Sequence, residues 1–255
     1  MTNKAQITQV AAADDVPAPT VERDYVLTHV IGGLAVVGYD HGLVFKGGTA
    51  LRLCFFEDYR YSADLDFSLI EGGLDDAYEV ISDALQGSSG NLETLYLTDD
   101  HPPKIAYQGP LGRQRTLKLD IADDELVIDT QQTHLIDRWD DVPEGLALHT
   151  YSLVEIAGEK IRCMMQRLQC RDLYDLALLL NEGEVDARDA ADVFVPKAQH
   201  KQLNVAQLSA KLEQRLAQYQ KRWETELREH VPGEIPHFDR LQRGVLRALR
   251  QVDLI

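Results

Sequence analysis

Apolar residues recur at helical spacing from Val21 to Tyr39, where Tyr25, Val26, Val30, Ile31, Leu34 and Ala35 fall on shared faces, and Gly42 lies just beyond the end. Leu43-Val44-Phe45 reads as a short buried strand, broken by Gly47-Gly48, and a second helix is expected from Thr49 to Phe55. Between Asp64 and Ile70 the period drops to two, with Leu65, Phe67 and Leu69 alternating against polar positions, which predicts a strand closed by Glu71-Gly72-Gly73. Leu74 to Leu85 predicts a helix, and strands are expected at 92–97, 105–107, 115–121 and 126–128, with turns at Asp100-His101-Pro102-Pro103 and Gly109-Pro110. After Tyr151 the pattern turns helical. Ser152-Leu153-Val154-Glu155 is a capping-box sequence opening a helix to about Leu168. Further helices are expected over 171–180, 184–195, 203–230 and 238–249, with breaks at Gly183, Pro232-Gly233 and Pro236.

This sequence of elements predicts an α+β protein. A flexible leader occupies 1–20, an α/β lobe with a mixed sheet occupies 21–150, and an α-helical lobe occupies 151–255. The length of 255 residues and the 44% hydrophobic content allow a full core. No apolar run approaches the ~18 residues of a membrane span, and the polar start carries no apolar signal core. Three cysteines without a Cys-x-x-Cys spacing argue against a disulfide framework and a zinc site, and suit a reducing cytoplasm. The net charge of −16 disfavours non-specific nucleic-acid binding by the whole surface, but leaves room for a local basic patch and for a basic protein partner.

The chemistry concentrates in three segments. Lys46-Gly47-Gly48-Thr49 joins a strand to a helix, so backbone N–H groups and the positive helix end can meet an anion. A tight strand-to-helix turn alone would look the same, and the lysine precedes the glycines, so this is not a P-loop. Asp64 and Asp66 project from one strand face, roughly 7 Å apart along the chain. A solvated strand face would also carry them, but their apolar flanks favour a compensating cation such as Mg²⁺. Lys118 and Asp120 share the polar face of a later strand. If the two strands are neighbours, Asp64, Asp66 and Asp120 converge as for two Mg²⁺ ions about 3.5–4 Å apart. Ser62 precedes Asp64 by two residues, as a phosphate contact or a turn cap. Arg243, Arg247 and Arg250 line one face of the last helix, either solvated or tracking an RNA backbone.

The ordered set resembles the DNA polymerase β-type nucleotidyltransferases and, within them, the AbiEii/MenT toxins of type IV toxin–antitoxin and phage abortive-infection systems. The resemblance rests on Glu22-Arg23-Asp24-Tyr25-Val26-Leu27, Phe45 to Leu51, Ser62-Ala63-Asp64-Leu65-Asp66-Phe67, Lys118-Leu119-Asp120-Ile121, Glu159-Lys160-Ile161-Arg162 and Arg171-Asp172-Leu173-Tyr174-Asp175-Leu176. It spans about 21–180, and the tail after about 185 matches no motif. The resemblance implies a polymerase β-type lobe followed by a helical lobe that closes a cleft. It implies an NTP substrate, Mg²⁺ or Mn²⁺, a cognate antitoxin, and NMP transfer to an acceptor hydroxyl at the 3′ end of tRNA, blocking translation. Gly47, Gly48 and Thr49, with Lys46, Ser62 and Lys118, would bind nucleotide. Asp64, Asp66 and Asp120 would bind metal and act in catalysis. Lys160 would hold the triphosphate. The helical-lobe aspartate falls on Asp175 in preference to Asp172, which shares its helix face. Transfer to protein, including self-modification at Ser62, and a non-catalytic binding module of the same fold remain alternatives.

Overall fold

A computed structural model of the chain describes residues 2–37, 42–88, 90 and 92–255. Its elements run α1 (Lys4–Ala13), α2 (Ala18–Val37), β1 (Leu43–Lys46), α3 (Gly47–Ala50), a π-helical turn (Leu51–Phe55), β2 (Asp64–Leu69), α4 (Leu74–Gly87), β3 (Thr94–Leu97), β4 (Lys104–Gln108), β5 (Gln114–Ala122), β6 (Thr130–His134) and β7 (Ala147–Tyr151). The helices α5 (Leu153–Gln166), α6 (Cys170–Asn181), α7 (Ala187–His200), α8 (Leu208–Leu227) and α9 (Phe238–Gln251) follow. The chain divides into two compact units. The first comprises Met1–Asp124, Gln131–Thr150 and Glu229–Gly233, and the second comprises Glu125–Thr130, Tyr151–Arg228 and Glu234–Ile255. The expected cut at 150/151 is therefore not a single one, because 125–130 and 229–233 change sides.

The first unit is built on a mixed sheet of seven strands in the order β3-β4-β5-β2-β1-β7-β6. β2 lies between β1, antiparallel, and β5, parallel. The register aligns Phe45, Phe67 and Ile121 on one face, with Leu65 opposite Leu119. These apolar residues join a core with Val26 and Val30 of α2 and Ile81 and Ala84 of α4. The Phe45 and Phe67 rings meet at 5.3 Å. Opposite faces of a pleated strand must differ, so the same register puts Lys46, Asp66 and Asp120 in one row on the other face.

Several sequence expectations change. Residues 4–13, read as part of a flexible leader, form a helix capped by Asn3, with Ile7 wholly buried and Ala11 nearly so. Burial of that apolar stripe outweighs the polar composition that suggested disorder. The helix expected as far as Tyr39 is described to Val37; its last residues and His41 lie outside the described residues. The 126–128 segment is not a strand. The N–H groups of Ile128 and Asp129 donate to the Glu155 carboxylate, and the Lys197 ammonium donates to the Leu126 carbonyl at 2.8 Å. Side chains of the helical unit thus take the groups that a strand ladder would use. Strand pairing occurs instead at β6 and β7, which the sequence pattern left unassigned.

In the second unit, Ser152 caps α5 by accepting the Glu155 N–H at 3.1 Å. The Glu155 carboxylate leaves the expected capping box to meet Lys197 at 2.6 Å. α7 continues through Pro196, where a stop was expected. The proline removes the donor for the Asp192 carbonyl, and Asp192 lies on the exposed side, where water can replace it. Trp223 anchors the far side, with its Nε1–H on the Pro236 carbonyl at 2.8 Å and its ring 5.4 Å from Phe238.

Candidate active site

The glycine segment sits at the top of β1. Lys46 is the last strand residue, extended and buried, and Gly47 opens α3 with a φ of 80°. A side chain at Gly47 would place its Cβ 2.7 Å from Asp66 Oδ2, so the Asp66 carboxylate lies against the Gly47 backbone. A Cβ at Gly48 would collide with the guanidinium of Arg60. Gly47 is therefore required by conformation and by close approach, whereas at Gly48 it is the buried Arg60 side chain that leaves no room. The Thr49 hydroxyl donates to the Asp64 carbonyl and pins the helix start to β2. The expected loop is thus the first turn of a helix, which turns π-helical at Leu51, where the Phe56 N–H reaches back to the Leu51 carbonyl at 3.0 Å.

β2 and β5 bring Asp64 level with Lys118, and Asp66 level with Asp120. Asp64 and Asp66 are half-buried, whereas the Asp120 and Lys118 side chains are 55% and 60% exposed. Lys118 Nζ donates to Asp120 Oδ2 at 2.9 Å. That bond, and the charges of Asp120, Asp66 and Asp64, raise the Lys118 pKa against the opposing effect of burial. The Lys118 ammonium thus feels the charge of all three carboxylates. Ser62 is buried and precedes the strand, which starts at Asp64.

The donor set can be tested against a divalent cation. Carboxylate oxygens are the hard ligands that Mg²⁺ or Mn²⁺ takes. The register puts three of them on adjacent strands, where each like charge otherwise raises the cost of the others. Among the described residues no group of three or more His, Cys, Asp or Glu side chains is gathered tightly enough to hold an ion by itself. The three carboxylates suit the cation in ligand chemistry and strand register but are not drawn together around one point, and Lys118 balances part of their charge.

Arg60 went unrecognised in the sequence. It is 2% exposed, lies under Gly48, and donates to the Tyr61 carbonyl at 3.1 Å. It stands in the irregular segment between the π-helical turn and β2, where no periodicity marks an inward residue. The opening motif Glu22 to Leu27 proves to be a buried anchor. Asp24 accepts from Arg52, and Glu22 accepts the Leu111 N–H at 2.6 Å. Burial raises the Glu22 pKa despite that bond and the charge of Arg115.

The remaining predicted residues form a cluster inside the second unit. Lys160 Nζ lies 2.9 Å from Asp172 Oδ1 and 2.7 Å from Asp175 Oδ2. Arg167 binds Asp172 with two parallel bonds, at 2.8 and 3.0 Å. Both aspartates and the lysine are buried. Asp172 and Asp175 therefore do not compete for one inward position, because both converge on Lys160. Burial would raise the Asp172 pKa, but Lys160 and Arg167 outweigh it and hold the carboxyl well below the usual range. Glu159 and Arg162, which flank Lys160, belong to a separate ion-pair chain with Lys197 and Glu125.

A family model described as the nucleotidyl transferase AbiEii toxin of a type IV toxin–antitoxin system matches residues 30–244. The fold is similar to that of MenT4, a nucleotidyltransferase toxin from Mycobacterium tuberculosis, with a TM-score of 0.75 and 20% identity over 100% of this chain and 91% of that one. An antigenic nucleotidyltransferase-like protein from Paracoccidioides brasiliensis aligns with a TM-score of 0.44 and 16% identity, over 75% of this chain and 92% of that one. Among curated proteins none matches the chain.

Proposed function

We propose, from the premise that this chain belongs to the AbiEii nucleotidyl transferase toxin family and is a nucleotidyltransferase, that it moves NMP from an NTP to the 3′-terminal hydroxyl of tRNA. Such a transfer blocks aminoacylation and halts translation, and a cognate antitoxin would restrain it. The observation that carries this reading is the row Lys46, Asp66 and Asp120 beside the Gly47-Gly48 turn, with Asp64 one strand step away.

The N–H groups of the first turn of α3 receive the triphosphate, and Lys46 and Lys118 supply positive charge. Asp64, Asp66 and Asp120 would hold Mg²⁺ or Mn²⁺, which polarises the phosphoryl oxygens and stabilises the departing pyrophosphate. The acceptor oxygen forms a bond to the α-phosphorus, and the bond to the pyrophosphate oxygen breaks. Asp120 takes the acceptor proton: it is exposed, whereas Asp175 is wholly buried against Lys160. Inside the second unit Asp172 and Asp175 pair with the Lys160 ammonium. No helix of the described residues is long and apolar enough to cross a membrane, in keeping with an RNA substrate met in water.

The test is incubation with each of the four labelled NTPs, a divalent cation and total RNA. Label on tRNA, absent with Asp64→Ala, is expected. Label on protein alone would favour self-modification, and Asp64→Ala labelling as well as wild type would remove the catalytic assignment.

A further inference from the structure

Four arginines, Arg240, Arg243, Arg247 and Arg250, project from α9, and all four are exposed. At about 100° per residue they fall within roughly 80° of one another. The opposite stripe, Phe238, Leu241, Val245 and Leu249, is buried. The spacing of 3, 4 and 3 residues raises a guanidinium every ~5 Å along the axis, over about 15 Å in all.

Several other cations of this unit are committed. Lys160, Arg162 and Lys197 meet buried carboxylates. Lys211, Arg215 and Arg222 donate to the carbonyls of Met165, Met164 and Leu168, where α5 ends. The α9 arginines differ. Among the described residues none of the four has an ion-pair partner, and of their side chains only that of Arg243 is hydrogen-bonded, to the Asp239 carbonyl of its own helix at 2.9 Å.

Helix stability does not explain the stripe. Like charges at i,i+3 and i,i+4 repel. Arg240 lies in the first turn, where the helix dipole disfavours a cation; only Arg250, in the last turn, is favoured there. A protein of net charge −16 has concentrated four positive charges on one helix face, where Asp239 is the one acidic residue of the helix. A regularly spaced polyanion fits it. The planar guanidinium fork matches phosphate oxygens in pairs, and all four positions are arginine rather than lysine.

We propose that the outer face of α9 is a docking surface for the phosphate backbone of the RNA acceptor. The proposal rests on the reading of the protein as an RNA-directed nucleotidyltransferase. It adds where the acceptor is gripped, by contacts that carry no base specificity.

The test uses the full chain without NTP and with divalent cations chelated, and follows binding of unfractionated, 5′-labelled tRNA by fluorescence anisotropy across a salt series. Neutralised phosphates contribute a log–log slope of about −0.7 to −0.9 each, so four contacts account for a slope of about −3 and a roughly 60-fold loss of affinity between about 50 and 200 mM salt. The variant R240Q/R243Q/R247Q/R250Q should lose that part of the slope and at least tenfold in affinity at low salt. Its far-UV circular dichroism should match that of wild type, and NTP binding should be unchanged. Should the fourfold variant misfold, R243Q/R247Q should remove about half of the slope. The fourfold Arg→Lys variant should keep most of it.

A glutamine variant that binds tRNA with wild-type affinity and slope would overturn the proposal, including the case in which the stripe serves an acidic protein instead. Wild type that binds no tRNA at low salt would overturn it too. Wild type that binds tRNA through the stripe yet labels no RNA would sink the transferase reading and leave the surface standing. A glutamine variant that labels RNA undiminished at sub-saturating tRNA would sink the surface and leave the transferase reading standing.

Discussion

Gly47 is where one missing carbon matters twice. Its φ of 80° strains any L side chain, and a Cβ there would also press on the Asp66 carboxylate at 2.7 Å. Gly145 shares the conformation, with a φ of 71°, but faces nothing within 4 Å. Gly145→Ala should therefore show the backbone cost alone, about 1–2 kcal/mol, with transfer intact. Gly47→Ala should cost more and abolish transfer. Thermal melts and labelling of the two variants side by side check this, and equal behaviour would refute the contact with Asp66. The Lys160 cluster gives a second prediction. Asp172→Asn leaves Lys160 and Arg167 short of a buried partner, and should cost about 3–5 kcal/mol in urea unfolding. The folded-state pKa of Asp172 is depressed, so its stabilisation is complete above the unfolded value near ~3.9 and fades as pH falls toward the lower folded value. Wild type and Asp172→Asn should differ in stability by a constant amount between about pH 5 and 8, and converge only below about pH 4. The three strand aspartates and the glycines were legible in the sequence, because a period of two and a broken strand leave marks. Arg60 was not, because an irregular segment has no period to betray an inward side chain.

Among the elements, α1 contradicts its composition most. Ile7 is wholly buried, and Thr2, just ahead of the helix, donates its backbone N–H to Asp141 at 3.0 Å. Ile7→Ala should therefore destabilise the first unit by about 2–5 kcal/mol, and deletion of 2–13 should lower the thermal midpoint rather than leave it unchanged, as loss of a loose leader would. The long periodic elements, α2, α5 and α9, could be read directly because tertiary packing and local pattern agree there. The segment 126–128 misled because its apolar residues suit a strand, while the partners of its backbone groups, Glu155 and Lys197, are 26 or more residues away and invisible to a local window. α7 misled in the opposite sense. Pro196 marks a stop in most helices, but its cost falls on a carbonyl on the exposed side, and the burial of Phe194, Lys197 and Ala198 carries the helix onward. β6 was missed because Thr130 to His134 is polar throughout, so edge pairing formed it without an apolar signal.

At the scale of the whole molecule, 42 acidic residues against 26 basic ones place two electrostatic effects in opposition. Self-repulsion of the net charge of −16 destabilises the folded chain. Added salt screens it, with a Debye length of about 10 Å at 0.1 M and ~3 Å at 1 M. The attraction between the α9 arginines and a polyanion is screened by the same ions. Stability and RNA binding should therefore respond to salt with opposite signs. Between about 50 and 500 mM NaCl the thermal midpoint should rise, while tRNA affinity falls. A protein whose RNA grip depended on its overall charge would bind no RNA at low salt, where repulsion from a net anion is strongest. Tight binding there, weakening as stability grows, is the signature of a local basic surface on an acidic body. Melting curves and anisotropy titrations over one salt series decide it, and a midpoint and an affinity that fall together would show that the added ions loosen the fold itself rather than the contact.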